Sequence, residues 1–303
     1  MRIPFLYWVM ILALGCAFGS AFFFSKIAVE EIQPLTLVLL RVSLAAIILW
    51  GIVVVTKRSA LLNTQTWKRW LMMGLLANAL PFALLFYGQR DIGAGLASII
   101  NASTVLWAAI FANMFLDDEK LTPLKTIGIV AGFAGIVVMI GPAAVEGLSA
   151  SVIAQLLVVA TAISYGFAAI YSRRFGKTDP LVSAAGQLTG ATLLIAPLVL
   201  LIDDPFSMAM PSATTWWSVA GLVIISSALA YVLFFAIVAE VGAVNVSLAT
   251  FIVPIVALLL GKIFLSETLA LNQWLGMAMI LFGLVAIDGR LFKQGGNQAA
   301  NAR

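Results

Sequence analysis

The side chains able to do chemistry in this chain of 303 residues are few, and they interrupt long apolar runs. Asn78, Asn101, Thr104, Ser164, Tyr165, Ser226, Ser227, Tyr231 and Thr250 fall near the middle of such runs. Polar groups placed there line a cavity, or they bond backbone carbonyls and neighbouring helices. Asn78 and Asn101 are the stronger cavity candidates, because an amide has four hydrogen-bonding positions that hydrocarbon cannot satisfy. Asn101 and Thr104 share a helix face at i,i+3. Tyr87, Trp107, Tyr165 and Tyr231 offer flat faces to an apolar substrate, or serve as packing and interfacial anchors. The expected binding set is Asn78, Asn101, Thr104, Tyr165, Ser227, Tyr231 and Thr250.

Charge is rarer still. Arg41 stands seven residues inside Pro34, about 10 Å along a helix, too deep to reach water by snorkelling alone. Lys26 and Lys262 lie toward the same end, with Glu267 in the turn beyond. Lys26, Arg41, Lys262 and Glu267 are therefore candidates for a gate or ion pair. Arg41 either attracts a substrate carboxylate, or belongs to an outer gate, or only fixes helix packing. Pro81, Pro197 and Pro254 each remove a helix hydrogen bond, so they mark static kinks or hinges.

Several function classes are excluded. There is no histidine and one cysteine, Cys16, so a Ser/His or Cys/His pair, an internal disulfide and the usual metal anchors are missing. Neither Gly176-Lys177 nor Gly261-Lys262 has the earlier glycine of a phosphate loop. No paired catalytic groups share one depth, so the chain is read as no enzyme, with no metal and no cofactor. The acidic residues, including Glu240, Glu267 and Asp288, fall in loops or at span ends. A dedicated mid-membrane proton carrier is lacking, which favours facilitated movement or exchange.

Positioning these residues falls to the bilayer. Hydrophobic residues make up 63% of the chain and charged ones 10%, too apolar a mixture for a water-exposed globule. Segments of about 20 residues suit a hydrocarbon layer about 30 Å thick. Candidate spans are 4–25, 34–55, 70–88, 93–115, 124–141, 151–172, 181–202, 216–237, 244–265 and 270–288. The first continues through Phe24 and is read as a retained span, not a signal peptide. Backbone facing lipid must satisfy itself, so the fold class is an all-α integral membrane protein. With the N-terminus in the cytoplasm, Arg2, Lys57, Arg58, Lys68, Lys120, Lys125, Arg173, Arg174, Lys177, Arg290, Lys293 and Arg303 lie inside, while Arg90 lies in an outer loop. This favours a multi-pass protein of the plasma (inner) membrane with both termini cytoplasmic. The formal charge of +4 is scattered, so nucleic acid is not an expected partner. The expected partners are the lipid bilayer and a small-molecule substrate, with monomer and homodimer both open.

The chain repeats. Gly93-Ala94, Ser98 and Phe115-Leu116 align with Gly242-Ala243, Ser247 and Phe264-Leu265. After a one-residue gap, Glu119, Leu121, Gly128, Gly135 and Gly141 align with Glu267, Leu269, Gly276, Gly283 and Gly289. Pro34 faces Pro180, and Arg41 faces Gln187. Five spans per unit is an odd number, so the ten helices form two inverted five-helix repeats. Residues 1–289 are read as one transmembrane domain, with repeats 4–141 and 151–289, and 290–303 as a short cytoplasmic tail.

On these residues the chain resembles the EamA-type branch of the drug/metabolite transporter superfamily. Phe18-Gly19-Ser20-Ala21-Phe22, Lys26, Pro34 and Arg41 match the family's opening stretch, with Phe for its usual Trp. Pro254 and Leu265-Ser266-Glu267-Thr268-Leu269 match its fourth-helix proline and following turn. The first copy departs, with Val105 at the proline position and added acid in Leu116-Asp117-Asp118-Glu119-Lys120-Leu121. The resemblance implies a secondary transporter exporting amino acids or other small metabolites. Amino acids lead, aromatic or other apolar ones included, because amides, hydroxyls, aromatics and a nearby cation suit both ends of such molecules. A multidrug or cation efflux carrier and a channel-like protein are the alternatives.

Overall fold

The structure is a computed structural model, and it describes residues 4–58, 64–117, 119–141, 149–173, 178–246 and 248–288. Arg2, Asp118, Arg174, Lys177, Ser247, Gly289 and the expected tail 290–303 lie outside the described residues. Regular structure among the described residues is helical throughout. The helices that cross are α1 Phe5–Ala28, α2 Pro34–Val55, α3 Thr64–Gly88, α4 Ala94–Phe115, α5 Pro123–Ile140, α6 Ala150–Ser172, α7 Pro180–Asp203, α8 Ala213–Val238, α9 Ala249–Phe264 and α10 Leu271–Asp288. All except α9 meet the length and hydropathy needed to span a bilayer. α9 has 16 residues, about 24 Å of rise, and a single turn, Ala243–Val246, precedes it.

Local chemistry sets the ends. Pro34, Pro123 and Pro180 open α2, α5 and α7, where a missing N–H costs nothing. The side chains of Thr122, Ser149, Asp179 and Ser212 cap α5, α6, α7 and α8. Gly242 closes the helix before it at φ 81°, a conformation that favours glycine. α3 begins at Thr64, six residues before the expected start, because its first turns are polar and hydropathy registers only the apolar remainder.

The outside is apolar and polar groups turn inward. Val54, Val55, Val137 and Leu201 are largely exposed, whereas Asn78, Gln89, Ser103 and Thr161 have no exposure. In water this would aggregate; in lipid it is the stable arrangement.

Helix pairing makes the inverted repeat visible. α1 packs on α9 and α6 on α4; α1 packs on α8 and α6 on α3; α7 packs on α3 and α2 on α8. Exchanging the halves α1–α5 and α6–α10 converts each pairing into its mate. The contacts α2 with α7, α4 with α9 and α5 with α10 map onto themselves. With five helices in each half, mates run in opposite directions. The glycines noted in the sequence are close-approach points: a Cβ on Gly128 would meet the carbonyl of Gly283, and one on Gly135 that of Gly276, where α5 crosses α10. Gly186 and Gly190 press in the same way on Trp70 of α3.

The helices also carry irregularities invisible to hydropathy. α3 widens to a π-helical turn at Leu75–Ala79 and α8 at Ile224–Leu229, mates in the two halves, and α7 ends in another at Val199–Asp203. α4 breaks at Ser103.

Candidate functional site: a buried polar cluster between the halves

Arg41 enters from α2 with 5% exposure. Its Nε donates to Ser227 Oγ at 3.0 Å, and its guanidinium lies 3.8 Å from the ring centroid of Phe82 and 6.0 Å from that of Phe86. Tyr165 and Tyr231 lie within its electrostatic reach. Among the described residues no carboxylate pairs with Arg41. Removing a lone guanidinium from water is costly unless donors and π faces are satisfied. Here one donor and one face are satisfied by the protein.

The π turns aim the rest. A π turn accommodates one extra residue and leaves carbonyls seeking other donors. Ser227 Oγ donates to Leu222 O at 2.9 Å within α8, and Ser164 Oγ of α6 donates to Leu76 O at 2.7 Å in the α3 turn. Asn78 thereby points inward, and its Oδ1 accepts from Tyr231 Oη at 3.1 Å. Gln187 Nε2 of α7 donates to the same phenol at 3.4 Å. Asn78 Nδ2 is buried without a partner, which is costly unless a ligand or water accepts from it. Ser226 Oγ and Ser20 Oγ of α1 share a hydrogen bond at 3.2 Å. First-half Arg41, Asn78 and Phe82 therefore meet second-half Tyr165, Gln187, Ser227 and Tyr231.

The other expected residues sit elsewhere. Asn101 and Thr104 flank the α4 break, where Thr104 Oγ1 donates to Asn101 O at 2.7 Å; Asn101 Oδ1, Ser103 Oγ and Trp107 Nε1 are buried without partners. Thr250 is half-buried in the first turn of α9, just after the turn Ala243–Val246, as its repeat mate Asn101 sits at the break of α4. Lys26 Nζ donates to Gln89 O at 2.7 Å, Lys262 is exposed, and Glu267 accepts from Ala94 N at 2.7 Å and Gly95 N at 3.0 Å. These three occupy the face opposite the N-terminus, and no bond joins them to Arg41 among those described. Pro81 immediately follows the α3 π turn, and its carbonyl accepts from Thr161 Oγ1 at 3.2 Å. Pro197 precedes the π turn of α7, and Pro254 lies inside α9.

Sequence reasoning missed Gln187 and Phe82 as members of the cluster. Gln187 had a signal, as the repeat mate of Arg41; Phe82, one of 19 phenylalanines, had none. Asp203 was also missed: 2% exposed at the end of α7, it accepts from Thr36 N at 2.7 Å and Thr36 Oγ1 at 2.9 Å. Nearer the N-terminal face, a cavity of about 280 Å³ opens between α4, α5, α6 and α10, with Val105, Ala109, Glu119, Lys125 and Arg173 in its wall.

Known proteins share this organisation. The chain is 24% identical over 279 residues to the uncharacterized transporter YoaV of Bacillus subtilis, covering 90% of this chain and 94% of the relative. It is 29% identical to the transporter YvbV of the same organism, covering 87% and 85%. It is 26% identical to the inner membrane transporter YedA of Escherichia coli, covering 91% and 88%. A crystallised protein of 17% identity superposes with a TM-score of 0.66 over 93% of this chain and 96% of its own, which shows a common fold. The description EamA-like transporter family matches residues 6–141 and again 152–287. A membrane fold of two inverted halves, a polar cluster at their seam and two successive family matches lead to one conclusion: the chain belongs to the EamA-like transporter family, and is a multi-pass membrane transporter and not an enzyme.

Proposed function

We propose that the chain exports small metabolites, foremost amino acids with aromatic or other apolar side chains, by alternating access as a facilitator or exchanger. The observation that carries this reading is Arg41, a buried cation with no carboxylate partner among the described residues, in one cluster with the unpartnered Asn78 Nδ2. A substrate carboxylate supplies the missing charge and accepts from both groups. Phe82, Phe86, Tyr165 and Tyr231 supply apolar and π surface for the rest of the molecule. The positive charge disfavours cationic drugs, which would repel Arg41. Among the residues of the cluster there is no acid to carry a proton, which supports exchange or downhill movement over strict proton antiport. The inner membrane is the proposed location, in line with YedA, with both termini cytoplasmic and 290–303 as a tail.

Counterflow in proteoliposomes tests the reading. Preloaded unlabelled phenylalanine or leucine should drive saturable uptake of the labelled form without a pH gradient. Non-saturable flux would indicate a channel, and an absolute need for a pH gradient would overturn the coupling scheme.

A further inference from the structure

The two faces of the molecule are closed by unlike devices, and the difference falls on one pair of repeat mates. At the face opposite the N-terminus, Glu267 of the second half accepts from the first backbone N–H groups of α4, in the first half, at 2.7 and 3.0 Å. Its seat is shaped by glycine: a Cβ on Gly93 or Gly261 would overlap the carboxylate. Asp203 ties the second half to the start of α2 in the same manner. Glu31 of the first half accepts from Ser212 N at 2.5 Å and Ser212 Oγ at 2.8 Å, ahead of α8. Carboxylates on helix N-termini join charge-assisted hydrogen bonds to the favourable end of the helix dipole.

At the N-terminal face, exposed ion pairs join the halves, Arg58 with Asp179 and Arg173 with Glu119. Water screens such pairs, and they are weak links. Glu119 is the repeat mate of Glu267, and Gly242-Ala243 is the mate of Gly93-Ala94. Yet Glu119 lies with Arg173 in the wall of the cavity, and the space where a Cβ on Gly242 would stand is empty.

The geometry points to Glu267 and Glu119 as alternating latches: Glu267 on α4 holds the far face shut, and in the opposite state Glu119 leaves Arg173 and caps the backbone N–H groups after Gly242 to shut the N-terminal face. Inverted halves exchange conformations in such a change, so each mate takes the contacts the other gives up. Glu267 and Glu119 are positioning residues that bind no substrate. The inference rests on the central cluster being reached from either face, but not on which molecule is carried.

Access of a thiol reagent tests it without substrate. In a Cys16→Ser background, a Ser227→Cys reporter is labelled with a membrane-impermeant maleimide in vesicles of both orientations. The Glu267-latched chain is labelled faster from the N-terminal face. Glu267→Ala raises labelling from the far face about ten-fold or more, with no rise from the N-terminal face. Adding Glu119→Ala reverses this gain, because the far-open state then loses its own latch. Glu267→Gln keeps the oxygen acceptor and gives a smaller rise in the same direction, so the ordering remains measurable if the alanine variant inserts poorly. Equal labelling of the parent from both faces, no far-face rise, a rise from both faces, or a double variant more open than Glu267→Ala would each overturn the latch. Absence of counterflow in the Cys16→Ser chain that keeps Ser227, with the labelling pattern of the reporter intact, would instead count against the carrier reading alone.

Discussion

Arg41 is held by one side-chain hydrogen bond and a phenylalanine face, so its effect should separate charge from shape. Arg41→Gln removes the charge that a carboxylate would meet and should raise the KM for exchange about ten-fold or more. Arg41→Lys keeps the charge but loses the planar stack on Phe82, and should recover only part of that loss. Counterflow at matched protein amount reads both. A second residue-scale expectation concerns pH. The backbone N–H and hydroxyl of Ser212 hold the Glu31 carboxyl below its ordinary value of 4.5. A depressed carboxyl stabilises the fold above the ordinary value, and that contribution disappears as pH falls through the lowered one. The difference in thermal midpoint between the parent and Glu31→Gln should stay constant from neutral pH to about 4.5, then shrink on further acidification.

At the scale of the element, the π turns and glycine seams decide whether the cluster assembles. Deleting Ala77 from the α3 turn removes the extra residue and rotates Asn78 away from Tyr231. The variant should insert normally yet lose most counterflow, measured against membrane yield. At the α5–α10 crossing, Gly135→Val would drive a branched side chain into the carbonyl of Gly276. Such overpacking costs about 1–3 kcal/mol, to be read as a lowered unfolding midpoint in detergent, with substrate affinity of the remaining folded fraction unchanged. The two expectations separate elements that shape the site from elements that hold the bundle.

At the scale of the whole molecule, the pairings α1 with α9 and α6 with α4, and those of α7 with α3 and α2 with α8, describe one arrangement applied twice in opposite directions. A cysteine at Arg90, between α3 and α4, should react with an impermeant reagent outside intact cells, while one at Lys68 should react only after permeabilisation. That outcome would set the orientation inferred from the basic residues.

The sequence by itself determined the solvent, the helix number, the inverted halves and the existence of buried polar positions such as Asn78, Tyr231 and Ser227. Lipid solvation is a property of consecutive residues, and a repeated register survives in the order of glycines, prolines and glutamates, so both can be read along one dimension. Only the tertiary structure decided that Asn78 meets Tyr231 and Gln187, that Arg41 rests on Phe82, that Thr250 sits in the first turn of α9, and that Glu267 and Glu119 have unlike partners. Those outcomes depend on how far each helix is rotated and where it widens by one residue, and a difference of one residue turns a side chain by about 100°. Hydropathy does not record that rotation, since a polar group facing the cavity and one bonded within its own helix contribute the same letter to the chain.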